Sequence, residues 1–125
     1  MKKFLLIFCL FFAFAQTKAD TLTEEIDHLL LFVKNSDVIF IRNNKEYAAS
    51  KALEHIHTKY NYFKKKITTA ELFVQYCVTK SELSGKAYMI RKKDNTTISA
   101  ADWLLAELKQ FREQQKKTDS NNIEQ

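Results

Sequence analysis

From Thr21 to Lys34 the apolar side chains Leu22, Ile26, Leu29 and Val33 recur at the spacing of one face of an α-helix. Thr21-x-x-Glu24 is a capping-box pattern, so the helix is expected to start there. Asn35-Ser36 breaks the period, and Val38-Ile39-Phe40-Ile41 is a β-branched and aromatic run suited to a buried strand. Arg42-Asn43-Asn44-Lys45 places two residues that tolerate positive φ where a tight hairpin turn needs them, and a short return strand follows at Glu46-Tyr47. Ala49, Ala52, Ile56, Tyr60 and Phe63 then predict a second, longer helix over 48–65.

The pattern repeats in the second half. Thr68-x-x-Glu71 predicts another capped start, with Ala70, Phe73, Val74, Cys77 and Val78 on one face of a third helix. A loop around Gly85 leads to a strand over 87–91, a turn at Lys92-Lys93-Asp94-Asn95 and a partner strand over 96–98. Ser99 is placed to cap a fourth helix with the stripe Ala101, Leu104, Leu105, Leu108 and Phe111. After Arg112 the chain is polar and aperiodic, and a disordered tail is expected over 113–125. The order reads as two α-β-β-α halves, hence an α+β domain of four helices and a small antiparallel sheet built from two hairpins.

Ahead of this domain, Lys2 and Lys3 precede an unbroken apolar run from Phe4 to Ala15. It is too short for a membrane helix, which needs about 20 apolar residues, and reads as the core of a secretory signal peptide. Thr17-Lys18-Ala19 predicts cleavage after Ala19, with Ala15 as the second choice, which leaves one domain over 20–112 and no transmembrane span in the mature chain.

The leader changes how composition is read. The 125 residues carry 20 basic and 15 acidic side chains, but residues 1–19 hold three of the lysines and no acid. The mature chain is therefore only slightly basic, and net charge gives little support to a nucleic-acid partner. Of the two cysteines Cys9 leaves with the leader, so Cys77 has no internal partner and the core alone must hold the fold. Gly85 is the only glycine, which excludes the glycine-dependent nucleotide and nucleophile motifs. Without C-x-x-C or H-E-x-x-H no cofactor or metal site is expected.

Phe40-Ile41-Arg42-Asn43, Glu46-Tyr47, Ala52, His55 and Lys59, then Thr69-Ala70-Glu71 with Phe73, Ser84-Gly85-Lys86 with Tyr88, and Trp103-Leu104 follow in an order that resembles the YfeK-like family of small exported bacterial proteins. Asn44, His57 and Ala87 stand where that family usually has glycine, arginine and proline. The resemblance implies a periplasmic location and no particular chemistry.

Several residues qualify as a functional surface. His55 and Lys59 share a helix face, as either a snorkelling flank or one wall of an anion pocket. His55 and His57 point about 160–200° apart on a helix and make no metal pair. Arg42 and Arg91 occupy matching strand ends, Lys86 and Tyr88 lie just upstream of the second, and all four could converge with His55 and Lys59 on an acidic ligand. Trp103 falls off the expected stripe, so it either packs under the second hairpin or stands exposed as an interaction anchor. The leading expectation is a non-enzymatic binding module for an acidic small ligand or an envelope protein, with no catalytic residue. The alternative is a small hydrolase using His55 and Glu71 with Ser81 or Ser84.

Overall fold

The computed structural model describes residues 18–81 and 83–124, so most of the expected leader lies outside the described residues. Helix α1 (Lys18–Asn35) leads into β1 (Ile39–Arg42) and β2 (Lys45–Tyr47), then α2 (Ala49–Phe63), which runs into a single 3₁₀ turn at Lys64–Lys66. Helix α3 (Ala70–Cys77), β3 (Met89–Arg91), β4 (Thr97–Ser99) and α4 (Ala100–Ile123) complete the chain. The four strands form one antiparallel sheet in the order β2-β1-β3-β4, so the first strands of the two hairpins pair at its centre. The expected α+β class and the two α-β-β-α halves are both present.

The turns follow from residue chemistry. Asn43 and Asn44 adopt φ of 53° and 65°, the left-handed region in which asparagine is the cheapest residue after glycine. Asn95 does the same at 69° in the second hairpin, where Asp94 Oδ1 accepts from the Thr96 amide at 2.9 Å. Ser99 caps α4 as expected, its Oγ accepting from the Asp102 amide at 3.1 Å.

Three boundaries differ from the sequence expectation. Helix α1 already runs through Thr21, so that capping box does not form; its first turns include Lys18 and Ala19. The cap of α3 is Thr69, not Thr68, and accepts from the Leu72 amide at 3.1 Å, which releases the Glu71 side chain for another partner. Beyond Arg112, α4 continues to Ile123 where an irregular tail is expected. Every residue over 113–123 is exposed, so the extension rests on Glu, Gln and Lys, good helix formers, and on propagation from an anchored helix rather than on burial.

Antiparallel pairing of Phe40 with Ile90 puts both side chains on the helix-facing side of the sheet, where both are buried. Ile26, Leu29 and Val33 of α1, Ile56 of α2, Phe73, Val74 and Cys77 of α3, and Leu104 and Leu108 of α4 close over them. Trp103 also belongs to this core. Its ring lies 4.7 Å from Phe32 and 5.9 Å from Phe40, and only 8 % of its surface is exposed. It packs against Phe32 of α1 and Phe40 of β1, and the buried face of α4 is Ala100, Trp103, Leu104 and Leu108, with Leu105 turned outward. The exposed-anchor reading of Trp103 does not fit this position.

Candidate functional site

Strand β1 alternates, so Arg42 follows Phe40 onto the helix-facing side at the sheet's end. Across from it, α2 carries His55 and Lys59 one turn apart. Tyr88, just before β3, is held by its amide to Thr79 O at 3.0 Å and by its carbonyl, which accepts from the Ala100 amide at 2.8 Å. Arg42, Tyr47, His55, Cys77 and Tyr88 thereby line a cleft holding a cavity of about 30 Å³, room for about one water.

Cations frame the Tyr88 ring. The Arg42 guanidinium carbon lies 6.0 Å from the ring centroid, and the Lys59 ammonium lies 5.0 Å from it while donating to Lys80 O at 3.0 Å. Arg42 Nε is buried and makes no hydrogen bond. His55 meets the Tyr47 ring edge-on at 5.8 Å. Burial, then the charges of Arg42, Lys51 and Lys59, push the His55 imidazole below its ordinary value, only partly offset by Glu54. Cys77 forms the floor as a fully buried thiol, raised to about 11 by burial against a smaller opposing effect of Lys59, so it stays protonated.

Not every predicted residue joins this cluster. Arg91 pairs with Ile39, which fixes its side chain on the sheet face opposite Arg42, and there it donates to Glu46 Oε1 at 2.6 Å. The matching strand-end positions mislead because β1 and β3 run antiparallel: equivalent ends lie at opposite edges of the ladder and on opposite faces. The Arg42–Arg91 convergence is therefore corrected. Lys86 is exposed on the loop before β3, outside the residues lining the cleft.

The hydrolase constellation is not assembled either. Ser81 is buried with its Oγ accepting from Asn43 Nδ2 at 3.2 Å, and Ser84 donates to the same asparagine's Oδ1. Among the described residues no hydrogen bond joins His55 to either serine or to Glu71. Asn43 instead ties the first hairpin turn to the Gly85 loop.

Glu71 belongs to a different site that sequence spacing does not reveal. Arg112 forms paired hydrogen bonds to Glu25 at 2.6 and 3.0 Å and to Glu71 at 2.9 and 2.8 Å, bridging α1, α3 and α4. Hydrogen bonding from Arg112 holds the Glu71 carboxyl below its usual range, while hydrogen bonds to Glu25 and then Glu71 push the guanidinium upward. A second tie joins α1 to α4, where His28 Nε2 lies 3.0 Å from Glu107 Oε1 and its ring stacks on Phe111 at 4.1 Å. Both ties act as structural clamps.

A family model described as a family of unknown function, DUF5329, matches residues 20–112, the span from the third residue of α1 to Arg112. No curated protein matches, and no solved structure matches.

Proposed function

The chain belongs to DUF5329, a family of unknown function, and on that premise we propose an exported, non-enzymatic module that takes the acidic group of a small ligand at the Arg42–Tyr88 cleft. One observation carries the reading: a buried Arg42 Nε without an acceptor, at the edge of a cleft flanked by the Lys59 ammonium. A guanidinium offers parallel N–H groups that match a carboxylate. A cavity of about 30 Å³ admits one oxygen atom of such a group and leaves the rest of the ligand outside. The apolar leader and the resemblance to YfeK-like proteins support the periplasm as the place where this happens.

Titrating the protein with small mono-, di- and tricarboxylates while recording amide chemical shifts tests the site. Shifts are expected around Arg42, His55 and Tyr88, and Arg42→Gln should weaken binding by roughly tenfold to a hundredfold. Binding that survives Arg42→Gln, or no shifts at all, would overturn the assignment. The pH dependence has a defined sign. His55 is neutral at pH 7 because its folded-state value lies below 6.5, so Arg42 and Lys59 carry binding there. As the pH falls through that lowered value protonation adds a cation and tightens binding, while the fold begins to lose stability already below 6.5 because the unfolded chain takes up that proton more readily.

Export has its own readout. The intact mass of the chain recovered from its producing cell should correspond to a start at Asp20. A product that retains Met1 would reject export with cleavage.

A further inference from the structure

The carboxyl end of α2 carries a surface unrelated to the cleft. From Tyr60 to Ala70 the sequence contains no acid, yet it carries Lys64, Lys65 and Lys66. The three aromatic residues of this stretch divide by direction. Tyr60 meets Phe73 edge-on at 5.7 Å and Phe63 stacks on Tyr76 at 5.0 Å, so both anchor the helix end to α3. Tyr62 rests edge-on against the Phe63 ring at 4.8 Å yet keeps 81 % of its surface exposed. The following 3₁₀ turn presents Lys64, Lys65 and Lys66, all exposed, and among the described residues none of the three pairs with a carboxylate.

We propose that this helix end, with Tyr62 and Lys64–Lys66, docks the protein on an anionic lipid bilayer. Lysines at a helix terminus do offset the carbonyl ends of its dipole, but that role does not account for a tyrosine that touches Phe63 with one edge and leaves most of its ring in solvent. A phenol ring on an otherwise polar tip suits the headgroup region, where its body meets acyl chains and its hydroxyl meets water. Three adjacent ammonium groups are point charges on flexible stems. They match a diffuse negative surface better than a discrete phosphate, which calls for the forked geometry of arginine. The anchoring of Tyr60 and Phe63 supplies the rigid base from which these groups project.

The test is co-sedimentation of the chain recovered from its producing cell with vesicles of equal parts phosphatidylcholine and phosphatidylglycerol, against vesicles of phosphatidylcholine alone. Binding is expected to the mixed vesicles only and to fall as salt is raised. Replacing Lys64, Lys65 and Lys66 together by Gln should weaken it by on the order of a hundredfold, and Tyr62→Ser by several-fold. A charge-matched control, Lys109→Gln with Lys116→Gln and Lys117→Gln, should bind nearly as the parent does, and Arg42→Gln should leave vesicle binding unchanged. Circular dichroism confirms that each variant is folded. Equal binding to both vesicles, which the apolar run from Phe4 to Ala15 would cause if retained, overturns the proposal. So does an equal loss in the α4 control, or binding to a soluble polyanion without binding to vesicles.

Discussion

Replacing Trp103 by alanine is expected to cost about 3–5 kcal/mol, the largest effect of any single change considered for this fold. The indole fills the space between Phe32 on α1 and Phe40 on β1, so its removal opens a cavity where helix layer and sheet meet. Native domains are stable by only about 5–15 kcal/mol, and such a loss leaves a measurable unfolded fraction without denaturant. Urea titration followed by far-ultraviolet circular dichroism measures it. Trp103 is the only tryptophan, so the parent protein offers a second check: its emission should be that of a buried indole and move to the red on unfolding. Trp103→Phe retains a ring and should cost about 1–2 kcal/mol. A loss for Trp103→Ala well under 1 kcal/mol would contradict the indole's place in the core.

Arg112→Ala is expected to cost about 2–3 kcal/mol, because Glu25, with 10 % of its side chain exposed, would be left as a nearly buried carboxylate without its cation. The more exposed Glu71 adds little to that figure. The instructive variant removes both charges: Glu25→Leu with Arg112→Met should recover most of the loss, since desolvation offsets much of what a buried pair contributes. A double variant no better than Arg112→Ala would assign the clamp a role beyond charge compensation. Acid has a predictable effect as well. The folded-state Glu71 carboxyl lies below its ordinary 4.5, so its contribution is complete above that value and fades as the pH falls beneath it. Arg112→Ala should abolish this part of the acid sensitivity.

Local patterns carried much of this architecture. Asn43 and Asn44 announce their turn because few residues accept positive φ, and Ser99 announces a helix start because its hydroxyl satisfies an otherwise unpaired amide. Helical spacing also placed His55 and Lys59 on the edge that faces Arg42. Long-range relations were less legible. Whether Arg91 faces the same way as Arg42 depends on the register between strands from different halves, which neither hairpin specifies alone. Trp103 reads as lying off the main stripe of α4, with packing and exposure both open, because the stripe through Leu105 is as apolar as the one the fold buries. The Arg112 clamp joins residues 87 and 41 positions apart, and only the packing of α1, α3 and α4 brings them together.

The central pairing of β1 with β3 also bears on how the chain folds. Each hairpin closes through a short turn and can form early, but an isolated two-stranded hairpin is marginal in water. Phe40 meets Ile90 across 50 positions of sequence, so the ladder that joins the hairpins forms only after most of the chain is available. The two α-β-β-α halves are thus not two folding modules. A fragment ending after α2 would hold an unpaired β1 edge and an uncovered Phe40, and should remain unstructured until the second half is supplied.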